Sequence, residues 1–555
     1  MAHFSLDSAG WFTRGGKRIF PVGVNYWPAS CGVEMWQAWD EDEIRRDLDL
    51  VCGLGLNCVR FFLRWPDFEP SFGRYDETMF RRLAQFAGWC RERDLLAHPA
   101  LIVGFMSGGY FWPSDKGERN LYADPEVRHA SAALCAKAAE TLRPFSDTVL
   151  ALDLGNELDC ADASGATADE VRAWCAEMVG AIRSVWPEVL VVSGLDSAPL
   201  MRECSWRIDG QPGTDFLSIH NYPVPAWNVV GFDGMADPFC QAILPFNALL
   251  ARTYGPVMLQ EFGTILTCGA AECTAYLDGM LDGCFENGVN GFLWWCLHDI
   301  SAKVHPYLKT AAEGRLGLVD ASGRVKPSLQ AGLEKMIALS RADPPVPPEP
   351  GECVGLYWPA ELYRSPANPG NDVTQVYRRL LAAYHLLRLM GRKACVVRGD
   401  RPFPAGLREM VVAGCGVTVG ETQALADWVR GGGRLLWSGI DGMHWSEACD
   451  DAIGAQAVDL RPARPVTCTM FGRAWTITGH PVTDLRTVAR ATTADVLAES
   501  GDGRPLVLSN RLGAGCCLAV LASPESTVAD LGADPAARDA WQAWYEGCFG
   551  VLEEA

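Results

Sequence analysis

Two glutamates stand at matching places in two separate apolar runs. Glu157 follows Asn156 near the end of Val149–Asp159 (VLALDLGNELD), and Glu261 lies near the end of Pro256–Gly263 (PVMLQEFG). A short apolar run bounded by glycine reads as a strand buried on both faces. An amide and a carboxylate at the C-terminal end of such a strand fit poorly with core packing. They fit a catalytic rim, because open α/β sheets and β/α barrels place their chemistry at strand C-termini. Two carboxyl groups facing each other across one pocket are the apparatus for cleaving a glycosidic bond. In the retaining form they stand about 5–5.5 Å apart, one as nucleophile and the other as acid, then base.

Other strand ends carry residues of the same use. Arg60 lies in Val59-Arg60-Phe61, His98 in the run from Leu95, His220 and Tyr222 in His220-Asn221-Tyr222, and Trp295 in Trp294-Trp295. Each has an ordinary explanation alone: a surface ion pair, a satisfied core histidine, tryptophans that pack. Together they are hard to attribute to packing, since buried polar groups cost free energy unless paired. Successive strand residues face opposite ways, so only one of the two tryptophans lines a pocket, and Trp295 is the expected one.

The elements that must hold these residues alternate. Strands are expected at Phe20–Asn25, Cys58–Phe62, Leu95–Val103, Val149–Gly155, Val189–Gly194, Phe216–His220, Val257–Glu261 and Gly291–Trp295. Helical patterns lie between them. Ile44, Leu48 and Val51 repeat at helical spacing behind an N-cap at Asp40. Thr167 and Glu170 stand at capping-box spacing before Val171, Trp174, Met178, Ile182 and Val185, and Pro187 ends that helix. Eight such units imply an α/β fold, a (β/α)8 TIM barrel over 1–341. The Pro-rich stretch 342–351 (ADPPVPPEPG) reads as an extended linker. A second βα pattern over 352–460 reads as a small doubly wound, flavodoxin-like α/β domain. Shorter strands and a terminal helix, Ala536–Phe549, over 461–555 form a β-rich segment that completes it.

The 555 residues are 49% hydrophobic and 21% charged, with a formal net charge of -20. An acidic chain repels phosphate backbones and anionic lipid, which argues against nucleic-acid and membrane partners. No apolar run reaches the roughly 20 residues that span a bilayer. The opening residues, MAHFSLDSAG, lack the basic and apolar regions of an export signal, so a cytoplasmic location is expected. The 21 cysteines form no CxxC pairs or Cys/His clusters. They read as small core residues in a reducing compartment, with no structural zinc. No metal or nucleotide motif is present, so no cofactor is expected.

The ordered set Arg60, Asn156-Glu157, His220-x-Tyr222, Glu261 and Trp295 resembles glycoside hydrolase family 5, of the clan A (β/α)8 hydrolases. DLDLVCGLGLNCVRFFLRWPDFEP resembles that family's second βα unit, and GLVDASGRVKPSL the segment after its last strand. The resemblance runs from about Gly23 to Leu329. It implies Glu261 as nucleophile and Glu157 as acid/base. Arg60 and Tyr222 would bond the nucleophile, Asn156 the sugar 2-hydroxyl, and His220 would sit beside Glu157. Trp295 would floor the sugar site. The stretch around His98 (AHPALIVGFMSGG) is similar to mannosidase-type members, and His98 and Trp112 are carried over as substrate-binding residues. The loop aromatics Tyr26, Trp27, Trp65, Tyr110 and Trp227 are further candidates for stacking on sugars.

The Leu101–Trp112 loop resembles β-mannosidase and mannanase members, which implies β-mannosides: short β-1,4-manno-oligosaccharides or Manβ1-4GlcNAc. A β-galactosidase, a β-glucosidase or an endo-β-1,4-mannanase is the alternative. The region Cys353–Phe549, with ADWVRGGGRLLWSG, resembles the amidotransferase-like domain of family 42 β-galactosidases. That implies a homotrimer with a pocket, hence exo-action. Two readings of other classes stay open: a working amidotransferase with Cys415 as nucleophile and His444 or His480 as base, and a non-catalytic sugar-binding barrel.

Overall fold

Eight short apolar runs become eight parallel strands. In the computed structural model they are β1 (Val22–Asn25), β2 (Cys58–Arg64), β3 (Leu96–Val103), β4 (Leu152–Gly155), β5 (Val191–Val192), β6 (Leu217–Asn221), β7 (Val257–Phe262) and β8 (Val289–Trp294). The structure describes residues 4–267, 269–362, 373–414, 416–440, 442–462, 464–478 and 485–555. The chain divides into two compact units. One comprises Met1–Leu200, Cys204–Val224 and Leu250–Pro345; the other comprises Met201–Glu203, Pro225–Leu249 and Val346–Ala555.

The eight strands form one sheet in the order β5-β4-β3-β2-β1-β8-β7-β6. Its two ends meet at the short β5: the Asp215 amide donates to the Val191 carbonyl at 2.8 Å, and the Ser197 amide donates to His220 at 3.1 Å. This is the TIM barrel. Its connections include α1 (Glu41–Gly53), α2 (Glu77–Glu92), α3 (Pro125–Leu142), α4 (Ala168–Val185), the one-turn α5 (Ala198–Met201), α6 (Pro238–Ala251), α7 (Ala270–Glu286) and α8 (Gln330–Arg341). The caps form as read. Asp40 accepts from the Glu43 amide, and Thr167 with Glu170 closes a reciprocal box on α4.

The interior is layered. Phe4 and Phe12, from a small N-terminal meander, pack with Cys58, Leu96, Ala151 and Leu293 in one buried apolar cluster that also holds Phe216 and Met258. Side chains alternate along a strand, so residues two further along point the same way. From that cluster the rule carries inward Arg60 (β2), His98 (β3), Asp153 (β4) and Gln260 (β7), and beyond β8 it carries inward Trp295. The layer above the apolar floor is therefore polar.

In the second unit, β9 (Cys353–Trp358), β10 (Lys393–Arg398), β11 (Glu409–Ala413), β12 (Arg434–Ser438), β13 (Asp495–Glu499), β14 (Pro505–Leu512) and β15 (Gly515–Val520) form one sheet. The order is β10-β9-β11-β12-β15-β14-β13. The first five are parallel and the last two antiparallel. The second-first-third-fourth start is the doubly wound order of a flavodoxin-like domain. Helices α9 (Val373–Leu389), α10 (Val419–Arg430) and α11 (Glu447–Ile453) belong to it. The edge strand β10 escapes the sequence pattern because charged residues flank it. The single terminal helix expected at Ala536–Phe549 is instead two helices, α12 (Pro535–Asp539) and α13 (Gln542–Glu554). The break falls at Trp541, whose ring packs 4.7 Å from that of Trp475. Cys516-Cys517 on β15 is a buried vicinal pair of thiols. Among the described residues no helix is long and apolar enough to cross a membrane.

Candidate active site

The two glutamates meet at the strand C-termini. Glu157, His220 and Glu261 each offer one atom, and these atoms all lie within 4.8 Å of one another. Carboxylate oxygens that close belong to the spacing of a retaining pair rather than the roughly 6.5–9.5 Å of an inverting one.

Glu261 reaches this place through a defect in β7. Ile219 pairs with Leu259, and the next residue, His220, pairs with Glu261, so Gln260 is an extra residue in the strand. A bulge of this kind lets two successive side chains face the same way. Without it, alternation from the buried Met258 would send Gln260 inward and Glu261 outward. Glu157 reaches the pocket through a turn. It follows β4 with φ of +44°, a left-handed conformation rare outside glycine, and its amide donates to the Gly194 carbonyl at 2.7 Å.

The surroundings of the two carboxyls differ. Glu261 accepts from the Tyr222 hydroxyl at 2.7 Å and from Arg60 Nη1 at 3.2 Å. Glu157 meets His220 Nδ1 at 3.3 Å. Burial pushes the Glu157 carboxyl up to about 8, with the charge of Asp196 adding to the rise. Burial also pushes Glu261 up, to about 7; Arg60 and the Tyr222 hydroxyl hold it back, while Glu157 pushes the same way as burial. The ordering follows from the donors: hydrogen bonds and positive charge favour the ionised form, and Glu261 has more of both.

Beneath the pair lies a buried polar network that sequence reading recognised only in part. Arg60 donates from Nε and Nη2 to Asp153 Oδ2 at 3.0 and 2.8 Å, and from Nη1 to Asn25 Oδ1 at 3.0 Å. Arg60 and Asp153 are both without solvent exposure. A buried guanidinium of this kind survives only when its donors are matched. Asp153, Asn25 and Gln260 are the residues sequence reading missed. Their signal was a lone polar residue at an inward position of an otherwise apolar strand.

His98 departs from expectation. It was expected to bind substrate, but its ring is fully buried, with Nδ1 3.0 Å from the Ala151 carbonyl and Nε2 2.7 Å from Gln260 Nε2. One period-2 step above the apolar floor is too deep for a sugar. Burial and the nearby Arg60 press its pKa down to about 3. Arg60, which sequence reading set at a strand end, lies mid-strand because β2 continues to Arg64.

Trp295 follows β8. Its ring packs edge-on to Phe62 at 5.8 Å, and its Nε1 donates to Glu313 Oε2 at 3.2 Å. Trp294 instead packs on Phe262 and donates to the Leu316 carbonyl. Glu313, from the loop after β8, was not foreseen. Asn156 Nδ2 donates to the Phe105 carbonyl at 3.4 Å, whereas its Oδ1 is buried without a partner among the described residues. Trp112 is half-buried against Gly104, with Lys116 Nζ 4.4 Å from the ring centroid. Tyr26, Trp27 and Trp65 are buried core residues rather than sugar platforms, while Tyr110 and Trp227 are exposed.

The Glu157–His220–Glu261 spacing is also one that a cation could span. The Arg60 guanidinium on Glu261 supplies positive charge at that place and opposes a second one. Asp159, Cys160 and Asp196 form another close group beside it. Cys415 and His480, the nucleophile and one base of the amidotransferase reading, lie outside the described residues.

The family model Cellulase (glycosyl hydrolase family 5) matches residues 22–301. An exo-beta-1,4-mannosidase from Opitutaceae bacterium strain TAV5 is 42% identical, with a TM-score of 0.92 over 98% of this chain and 99% of that one. A beta-galactosidase from Rahnella sp. R3 shares the fold, with a TM-score of 0.69 at 14% identity over 96% of this chain and 89% of its own. A protein of Oryza sativa subsp. japonica named as a mannan endo-1,4-beta-mannosidase is 27% identical over 304 residues, 47% of this chain. The chain spans about three fifths of the length of the curated relatives it matches.

Proposed function

The chain belongs to glycosyl hydrolase family 5, and from that premise we propose that it is a retaining exo-β-1,4-mannosidase acting on short β-1,4-manno-oligosaccharides or on Manβ1-4GlcNAc. The observation that carries the reaction type is the approach of the Glu157 and Glu261 carboxylates to within 4.8 Å. The likeness to an exo-mannosidase over nearly the full chain supports the sugar and the mode of action.

In this reading a Glu261 oxygen attacks the anomeric carbon, and Glu157 gives its proton to the glycosidic oxygen as that bond breaks. Water then attacks the glycosyl ester, losing its proton to Glu157, and Glu261 leaves as carboxylate. Arg60 and Tyr222 keep Glu261 ionised. The unpartnered Asn156 Oδ1 accepts from the sugar 2-hydroxyl, a bond that strengthens as the oxocarbenium-like state forms. Trp295, held by Glu313, lies against the sugar, and Trp112 borders it. A homotrimer located in the cytoplasm is proposed with this reading, and light scattering on the purified chain checks the assembly.

The test is hydrolysis of mannotetraose followed by proton NMR. Mannose released stepwise, first as the β-anomer, is the expected result. First release of the α-anomer removes the retaining mechanism, and shorter oligosaccharides without free mannose move the activity to endo-mannanase. Turnover of aryl β-galactoside or β-glucoside but not β-mannoside overturns the sugar.

A further inference from the structure

The buried network beneath the carboxyls has a direction. His98 Nδ1 faces the Ala151 carbonyl at 3.0 Å. A carbonyl only accepts, so His98 carries its proton on Nδ1 and its Nε2 is an acceptor. Gln260 Nε2, 2.7 Å from that nitrogen, is also 3.0 Å from Asp153 Oδ2. Both neighbours accept, so the amide end of Gln260 must point there; turned over, its oxygen would face the carboxylate that Arg60 binds. Gln260 Oε1 therefore faces His220 Nε2, 2.9 Å away, and accepts its proton. Burial holds His220 below its ordinary pKa against the nearby Glu261 and Asp196, with Arg60 helping burial. A neutral His220 protonated on Nε2 presents the lone pair of Nδ1 to Glu157 Oε1 at 3.3 Å, while Glu261 Oε2, at 3.8 Å, lies beyond hydrogen-bond reach.

We infer that Gln260 is a positioning residue for the acid/base: by fixing the tautomer of His220, it makes His220 Nδ1 an acceptor that holds the proton on Glu157. The bulge in β7 is what makes this possible, because it turns both Gln260 and Glu261 into the interior. A lone pair aimed at a carboxylate is repulsive, and aimed at a carboxylic acid it is a hydrogen bond. The chain Ala151–His98–Gln260–His220 thus keeps Glu157 protonated when the leaving oxygen needs a proton. Once that proton is gone, the same lone pair makes the Glu157 carboxylate a stronger base towards water. No proton travels along the chain; each link only orients the next.

The inference rests on the proposed β-mannosidase reading, and its test separates the two. Formation of the glycosyl-enzyme is followed as kcat/KM for phenyl and 2,4-dinitrophenyl β-mannosides. The phenyl group needs a proton to leave and the dinitrophenyl group does not. For Gln260→Met, the expected result is about a 100-fold loss on the phenyl substrate, within the usual reach of general acid catalysis, and less than about a threefold loss on the dinitrophenyl substrate. Equal losses on both substrates, or none on the phenyl substrate, overturn the inference. A wild-type protein that cleaves neither overturns the β-mannosidase reading instead. Should the variant not fold, 15N NMR of histidine-labelled wild type decides: His220 must show its proton on Nε2 and His98 on Nδ1, and a His220 protonated on Nδ1 refutes the relay.

Discussion

Removing one hydroxyl tests the electrostatic division of labour between the two glutamates. Tyr222→Phe deletes the O–H that donates to Glu261 Oε1 at 2.7 Å and leaves the ring, which packs on Gly263, in place. A hydrogen bond to a charged group contributes about 1.5–3 kcal/mol. Taking about 2 kcal/mol, the ionised nucleophile is destabilised by roughly 1.5 pK units, since one unit is about 1.4 kcal/mol. The sign follows from which form is bonded. Tyr222 favours the carboxylate and holds its pKa down, so the variant's pKa must rise. In kcat/KM against pH, activity needs Glu261 ionised and Glu157 protonated, so Glu261 sets the acidic limb and Glu157 the basic one. Wild type should show a narrow bell displaced above the ordinary carboxylate range, because burial raises both groups. Tyr222→Phe should move the acidic limb to higher pH, up to the level of the basic one, and lower the peak several-fold, because few molecules then hold Glu261 ionised with Glu157 protonated. An acidic limb that stays put or moves to lower pH refutes the assignment of Glu261 as the ionised partner.

Three other perturbations read separate parts of the structure. Glu261→Gln should retain the far-ultraviolet dichroism of wild type and less than about a thousandth of its turnover; near-normal turnover removes the nucleophile. Arg60→Met leaves Asp153 buried and uncompensated, which should cost about 3–5 kcal/mol in denaturant unfolding of the barrel, and an unchanged midpoint contradicts the buried pair. Gly104→Ala places a Cβ 1.9 Å from the Trp112 ring, so the ring must move; KM should rise several-fold with little change in unfolding, and an unchanged KM removes Trp112 from the substrate's path.

Much of this was legible in the chain itself. Period and length announced eight βα units, and the N-cap at Asp40 and the Thr167/Glu170 box formed as read, because local hydrogen bonds depend on neighbours a few residues away. Asn156-Glu157 and Glu261 were visible because polar residues at the ends of apolar strands have no packing reason to be there. Alternation required only that one of Trp294 and Trp295 face inward, and the choice of Trp295 came with the family resemblance. Three matters were not legible. Alternation from Met258 points Glu261 out of the barrel, and only the extra residue against Ile219–His220 brings it in; a bulge is a property of the pairing between strands, not of one strand. His98 looked like a substrate ligand, but its depth depends on how far β3 is shifted against β2 and β4. The roles of Asp153, Asn25, Gln260 and Glu313 came from partners 18 to 162 residues away in the chain. A single sequence names the groups able to do chemistry because their type is written residue by residue. It does not say which of them hold a proton, since that depends on what each buried nitrogen and oxygen faces once the barrel has closed.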